Sequence, residues 1–335
     1  MRRERAWLES RGQSGALPVI HFLAISGGGD NGAFGAGLLN GWTKAGDRPE
    51  FKLVTGVSTG AIIAPFAFLG SKYDVRTENF YTKTAPHEIL KKRPMYSILS
   101  SDSLTDNSPL RRRVEEEVTR ELLDAIAAEY EKGRLLFIGT ANLDSRQGYI
   151  WNMTKIAANA DPRALEIFRS IIVASAAIPA AFSPVMIDVE AGGEKYQEMH
   201  VDGGTLAQVF VYPPSLDLKR LAREAGIERE RVMYILRNSR LDPDWASVDR
   251  RIMSIAQRAI ASLIHSQGRG DLYRIYLTAQ KDGVDYNLAF IPPTFNEPHR
   301  ELFDTEYMRA LYKTGYDMAA EGYPWSKHPP GFEGQ

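Results

Sequence analysis

The sequence contains no cysteine. Disulfides, thiolate nucleophiles and cysteine-ligated metals are therefore excluded, while the compartment stays open, because cysteine-free chains occur on both sides of a membrane. No stretch approaches the run of about 18 apolar residues that a spanning helix needs. The opening MRRERAWLESRG lacks the apolar core of a signal peptide. Cytoplasmic placement is the default expectation, and removal of a targeting segment ahead of residue 1 is compatible with it. Charge of one sign is missing too: 41 Lys and Arg stand against 42 Asp and Glu, a net charge of −1. That balance makes no whole-molecule field to attract nucleic acid or an anionic membrane. No nucleic-acid partner is expected, and any transient membrane-surface contact has to come from a local patch. No internal repeat and no low-complexity linker is visible.

What is present is an ordinary globular composition, 335 residues with 44% hydrophobic and 25% charged side chains, long enough to bury a large core. Residues 1–16 read as a polar arm. The apolar run 19–26 stops at a glycine cluster and reads as a buried strand. A helix rich in small residues (32–42), a second strand (51–57) and a second apolar helix (59–69) follow. This order implies parallel pairing with a right-handed crossover. Further along, helices are expected at 109–132, 162–177, 248–277 and 301–320. Strands are expected at 135–143, 149–153, 185–189, 196–201, 231–237 and 285–291. Interleaving along the whole chain favours one α/β layered domain over 17–325, with residues 326–335 as a tail.

Gly56-Val57-Ser58-Thr59-Gly60 is a G-x-S-x-G motif between a strand and a helix, the setting in which it makes a nucleophile elbow. The turn forces strain onto Ser58, and Gly56 and Gly60 remove the clashes on either side. The amide of Ser58 falls near the N-terminus of the next helix, where partial positive charge favours an oxyanion. Gly27-Gly28-Gly29-Asp30-Asn31-Gly32 lies between the first strand and the first helix. Consecutive glycines turn backbone N–H groups inward as an anion nest, suited to a tetrahedral acyl intermediate. The same loop fits the dinucleotide fingerprint G-x-G-x-x-G, but the second strand ends in Val57-Ser58 rather than the ribose-binding acid. A structural glycine turn is a third reading. Gly35 and Gly37 are costly in a helix and imply close packing against the elbow helix.

A serine needs a base. His265, His299 and His328 follow Ser58 in the order a Ser-Asp-His esterase of the α/β-hydrolase type requires. Against that fold, only 29 positions separate Gly29 from Ser58, room for a single helix and strand. Asp202-Gly203-Gly204 ends a short strand; taken alone it reads first as an Asp-Gly turn, and second as a carboxylate facing the serine. Residues 91–96 (KKRPMY) read first as a solvated connection and second as a membrane-docking or lid loop. Trp42, Phe66, Phe68 and Phe182 read as core, with an acyl groove as their second reading.

Taken together, the glycine loop, the elbow GVSTG, the small-residue segment ASAAIPAAFSP at 174–184 and the late Asp-Gly-Gly resemble the patatin-like phospholipase family, in the family's order. The resemblance covers 20–204; residues 205–325 carry no motif. It implies a three-layer α/β/α fold with a mostly parallel central sheet, and lipid acyl ester hydrolysis with no metal or cofactor. It implies Ser58 as nucleophile and Asp202 as general base. The amides of Gly27, Gly28 and Gly29 would form the oxyanion hole, with Asn31, Gly32 and Gly203 supporting the loops. Asn31 departs from the pattern, since the family usually has arginine or lysine there to support the loop. A carboxylate base acting on serine needs a pKa above the ordinary 3.9, which burial supplies. Nothing in the sequence fixes the oligomeric state.

Overall fold

The computed structural model describes residues 2–12, 17–92, 102–242, 245 and 247–332. The strands are β1 (Ile20–Ile25), β2 (Leu53–Val57), β3 (Lys91–Lys92), β4 (Thr105–Asp106), β5 (Leu135–Asn142), β6 (Gln147–Asn152), β7 (Val185–Ala191), β8 (Glu194–Asp202), β9 (Arg231–Arg237) and β10 (Asp285–Phe290). The helices are α1 (Arg2–Glu9), α2 (Gly32–Ala45), α3 (Thr59–Leu69), α4 (Asp74–Lys83), α5 (Ser108–Glu117), α6 (Arg120–Glu131), α7 (Met153–Ala157), α8 (Ala164–Ser175), α9 (Leu218–Glu224), α10 (Ile252–Asp282) and α11 (Thr305–Ala320).

Eight strands form one sheet, hydrogen-bonded in the order β10-β9-β1-β2-β5-β8-β7 with β6 also on β5. From β10 to β5 all pairs are parallel, and the pairs involving β6, β7 and β8 are antiparallel. Short apolar strands buried on both faces are what a parallel sheet demands. Along β1 the side chains alternate between two cores. Leu23 and Ile25 join the larger core with α2, α3, α8 and α11. Phe22 and Ala24 join a second core with Leu272, Ile275 and Ala279 of α10. Helices thus cover both faces, a three-layer α/β/α arrangement.

Trp42, Phe66, Phe68 and Phe182 lie in the larger core, not along a groove. The helix expected at 109–132 is two helices, because Thr119 caps a new start by accepting the amide of Leu122 at 3.4 Å. Residues 2–9, expected as part of a polar arm, are helical. Buried Glu4 anchors them through Lys52 and Arg229, each at 3.1 Å. The connection at 91–96 lies outside the described residues from 93 onward.

Helix α2 is buried from Gly32 to Trp42. Of its glycines, Gly32 abuts Thr59 of the elbow helix and Gly35 abuts Asn238, while Gly37 and Gly41 meet α11. A Cβ on Gly37 or Gly41 would collide with the backbone carbonyls of Tyr312 and Tyr316, and one on Gly315 with that of Phe34. Glycines one turn apart let the two backbones touch, so the expectation that Gly35 and Gly37 pack on α3 is corrected: Gly35 packs on Asn238 and Gly37 on α11. Gly37→Ala would gain about 1 kcal/mol in helix propensity, but the obstacle is backbone and cannot swing aside. A net loss of about 1–3 kcal/mol in urea unfolding, with unchanged slope, is expected.

Candidate active site

The site is built on one edge of β5. Residues 135–139 pair with β2, 137–142 with β6 and 140–142 with β8. Because β6 overlaps both partners in register, it must occupy one edge while β2 and β8 share the other, end to end. Val57, the last residue of β2, pairs with Gly139; Asp202, the last of β8, pairs with Thr140. Two strand ends 144 positions apart in the chain therefore deliver Ser58 and Asp202 to neighbouring rows. The seam is tight: a Cβ on Gly203 would sit 2.5 Å from the carbonyl oxygen of Gly139.

Ser58 has φ 56° and ψ −125°, a region that L-residues enter only when their surroundings hold them there. The surroundings are visible. A Cβ on Gly56 would strike the carbonyl of Gly60, and one on Gly60 the carbonyl of Ile25. The elbow therefore stays close to β1. The resulting orientation turns the hydroxyl of Ser58 toward Asp202, to whose Oδ2 it donates at 2.5 Å. Oδ1 of Asp202 accepts the Gly204 amide at 2.7 Å. Both residues are buried. Burial pushes the Asp202 carboxyl up to about 6, against the opposing pull of the hydrogen bonds from Ser58 and Gly204.

The small-residue segment after α8 fixes both partners. The amide of Ser58 donates to Ser175 Oγ at 3.0 Å, and that hydroxyl donates to the Gly139 carbonyl at 2.7 Å. The amide of Asp202 donates to the carbonyl of Ala177 at 2.9 Å. The Ser58 amide is thus committed to Ser175, which corrects its expected place among oxyanion donors. No histidine bonds to Ser58 or Asp202 among the described residues. His200, the one nearest in sequence, is held by Thr140 at 2.9 Å between the rings of Tyr149 and Trp151.

The glycine loop faces this pair: a Cβ on Gly27 would lie 3.2 Å from the Cβ of Ser58. Its three amides are not equivalent. That of Gly27 donates to the carbonyl of Gln208 at 3.0 Å. Those of Gly28 and Gly29 have no intramolecular acceptor among the described residues. Gly29 has φ 60°, and a Cβ on Gly28 would collide with the Asn238 carbonyl, so both positions require glycine.

Sequence reasoning missed the residues that hold the loop. Asn238 follows β9 and is fully buried. Its Nδ2 donates to the Ser26 carbonyl at 3.0 Å, its Oδ1 accepts the Gly35 amide at 3.0 Å, and its own amide donates to Ser26 Oγ at 2.9 Å. Gln208 bridges the two motifs. Beyond its carbonyl contact to Gly27, its Nε2 donates to the Gly204 carbonyl at 2.8 Å, and its amide donates to Asp271 at 2.7 Å. Tyr307 donates to Asn31 Oδ1 at 2.7 Å, and Asp30 accepts from the Phe303 amide at 2.8 Å and pairs with His299 at 2.6 Å. The segment 299–307 thus supports the loop where a basic residue is missing at 31. Gly32 abuts Thr59, whose hydroxyl pairs with Tyr81. No local signal marks Gln208 or Asn238; each acts across long stretches of chain.

The raised carboxyl of Asp202 has a stability signature. Its folded value lies above the unfolded value of about 3.9, so its contribution is full below pH 4 and is lost as pH rises through about 6. Asp202→Asn removes that loss. The variant is expected to match wild type in urea unfolding near pH 4 and to exceed it at pH 8, by up to on the order of 3 kcal/mol.

Among solved structures the chain is similar to VipD from Legionella pneumophila, at 13% identity and TM-score 0.41, over 91% of this chain and 67% of VipD. It is also similar to ExoU from Pseudomonas aeruginosa, in a structure with SpcU, at 12% identity and TM-score 0.40, over 92% of this chain. It spans 52% of that ExoU chain. No curated protein matches it. The patatin-like phospholipase family model matches residues 23–213. That span, more than half of the chain, runs from β1 past the end of β8, and the chain belongs to the patatin-like phospholipase family of lipid-hydrolysing enzymes.

Proposed function

We propose that the chain is a serine lipid acyl hydrolase of the phospholipase A or esterase type, working by a Ser58–Asp202 dyad without histidine. The observation that carries this is the 2.5 Å hydrogen bond from Ser58 Oγ to a buried carboxylate. Asp202, raised to about 6, is about 2 pK units more basic than an ordinary aspartate yet still ionised at neutral pH.

In the first step Ser58 Oγ bonds to the ester carbonyl carbon while its proton passes to Asp202. The carbonyl electrons move onto oxygen, and the amides of Gly28 and Gly29 receive the oxyanion. Collapse expels the alcohol, which takes the proton from Asp202 and leaves an acyl-serine. A water molecule then attacks that ester, Asp202 takes its proton, and collapse returns it to Ser58 as the acid leaves. The acyl chain has a place to lie. A cleft of about 300 Å³ is lined by Val57 and Gly203, beside the dyad, and by Leu206, Val209, Phe210 and Ile275. Its walls also carry Thr140, Asp271, Arg274 and Thr278, and it is the apolar share of the lining that suits a fatty chain.

Hydrolysis of a medium-chain p-nitrophenyl ester and of a phospholipid, with chelator present, tests this. Ser58→Ala and Asp202→Asn are each expected to lose about 10³-fold or more in kcat/KM. Gln at His265, His299 or His328 leaves more than about a tenth of the activity. A loss of about 10³ at one of those histidines would instead establish a triad esterase. The wild-type kcat/KM rises with pH through about 6, since the carboxylate is the active form. Asn238→Ala frees the glycine loop and is expected to lower kcat by about 10–100-fold with little change in KM.

A further inference from the structure

Helix α10 is one continuous helix whose two halves have different surroundings. From Gly268 onward it packs on the sheet through Leu272, Ile275 and Ala279. Among the described side chains of 252–266, none that is apolar is buried. Ile252 is 86% exposed, Leu263 70%, Ile260 57% and Ile255 54%. Among the described side chains the half-buried positions are Ser254, Arg258 and His265. At helical spacing Ile255, Ile252, Leu263 and Ile260 fall on one stripe, and Ser254, Arg258 and His265 on the opposite one. The segment therefore turns its polar side to the protein and its aliphatic side to water, the reverse of a surface helix. Trp245, just ahead of it, is 87% exposed.

This face stands at the catalytic edge. β9 ends at Arg237, beside the glycine loop, and α10 returns from that edge to begin β10, which runs parallel to β9. Gly268 lies against the Arg237 guanidinium, and Asp271 accepts the amide of Gln208, so these residues are level with the strand ends. The preceding 252–266, at 1.5 Å per residue, extend roughly 22 Å beyond them. The charge pattern identifies the occupant. Arg250 and Arg251 are exposed at the head of the helix, beside one acid, Asp249, and from 250 to 270 no acidic residue occurs. A second copy would bring the same aliphatic stripe with Arg250 and Arg251, and only Asp249 to match them. An anionic bilayer matches both the arginines and the aliphatic stripe.

We propose that residues 252–266, with Trp245, dock the protein on an anionic lipid surface and bring the Ser58 edge to its substrate. This rests on the family's lipid substrate, not on the dyad. Among the described residues no helix is long and apolar enough to cross a membrane, so the contact is interfacial.

The test is co-sedimentation of the full chain carrying Ser58→Ala with vesicles of phosphatidylcholine, with and without phosphatidylserine. Binding to the anionic vesicles is expected, and Ile260→Gln with Leu263→Gln should weaken it about tenfold or more. Arg250→Gln with Arg251→Gln should erase the preference for phosphatidylserine. With Ser58 intact, the Ile260/Leu263 variant should keep wild-type hydrolysis of a soluble p-nitrophenyl ester and wild-type thermal stability. Equal binding by parent and variant, or no binding by the parent, overturns the proposal. So does a dimer, seen by light scattering, that the variant abolishes. A wild type silent on the soluble ester would sink the dyad reading and leave the vesicle result standing.

Discussion

The placing of Ser58 against Asp202 follows from one sharing arrangement: β5 lends a single edge to two strands that arrive from opposite directions. β2 stops at Gly139 and β8 stops at Thr140, so the residues at their tips have nowhere to be but side by side. A sheet edge spaces its partners by backbone hydrogen bonds, independent of side-chain rotamers. Ser58 and Asp202 are consequently positioned by the most rigid part of the molecule, with Ser175 and Ala177 holding their amides. Such preorganisation is what the proposed two-residue catalytic unit needs, since among the described residues no third side chain bonds to Asp202.

The same geometry sets the chemistry. Closing Asp202 away from water raises its carboxyl, and the two hydrogen bonds it accepts keep the rise from going further. A more exposed carboxylate would be a weaker base. The glycine loop is held by a separate set of contacts. Asn238 ties it to the end of β9, Gln208 ties it to the Asp202 turn, and the segment 299–307 closes it from outside. Thus the region after residue 205, which carries no motif, supplies the frame in which the motifs meet.

The elbow, the glycine loop and the Asp-Gly-Gly turn were legible in the sequence because each is a local backbone requirement, written as glycine near one reactive side chain. Strands such as 231–237 were legible from their apolar runs. What escaped reading depends on partners far along the chain. Nothing near Asn238 predicts that its amide group will bridge Ser26 and Gly35. The amide of Gly27 looked like an oxyanion donor until Gln208 was placed over it. Arg2–Glu9 looked like a solvated arm because the partner of Glu4, Arg229, is 225 positions away. Helix α4 carries only three buried side chains, Thr77, Phe80 and Tyr81, too few to stand out against its charged residues. The length of α10 was readable; that its aliphatic stripe faces outward was not, since periodicity reports a stripe and not its direction.

The central claim is that a buried aspartate activates Ser58. Its most direct measurement is the rate at which a fluorophosphonate labels Ser58, followed by mass spectrometry across pH 5 to 8, in wild type and in Asp202→Asn. The account predicts labelling at the peptide containing Ser58, with a rate that rises through about pH 6 and falls by orders of magnitude in the variant. A rate independent of pH over that range, or one that survives in Asp202→Asn, would contradict it.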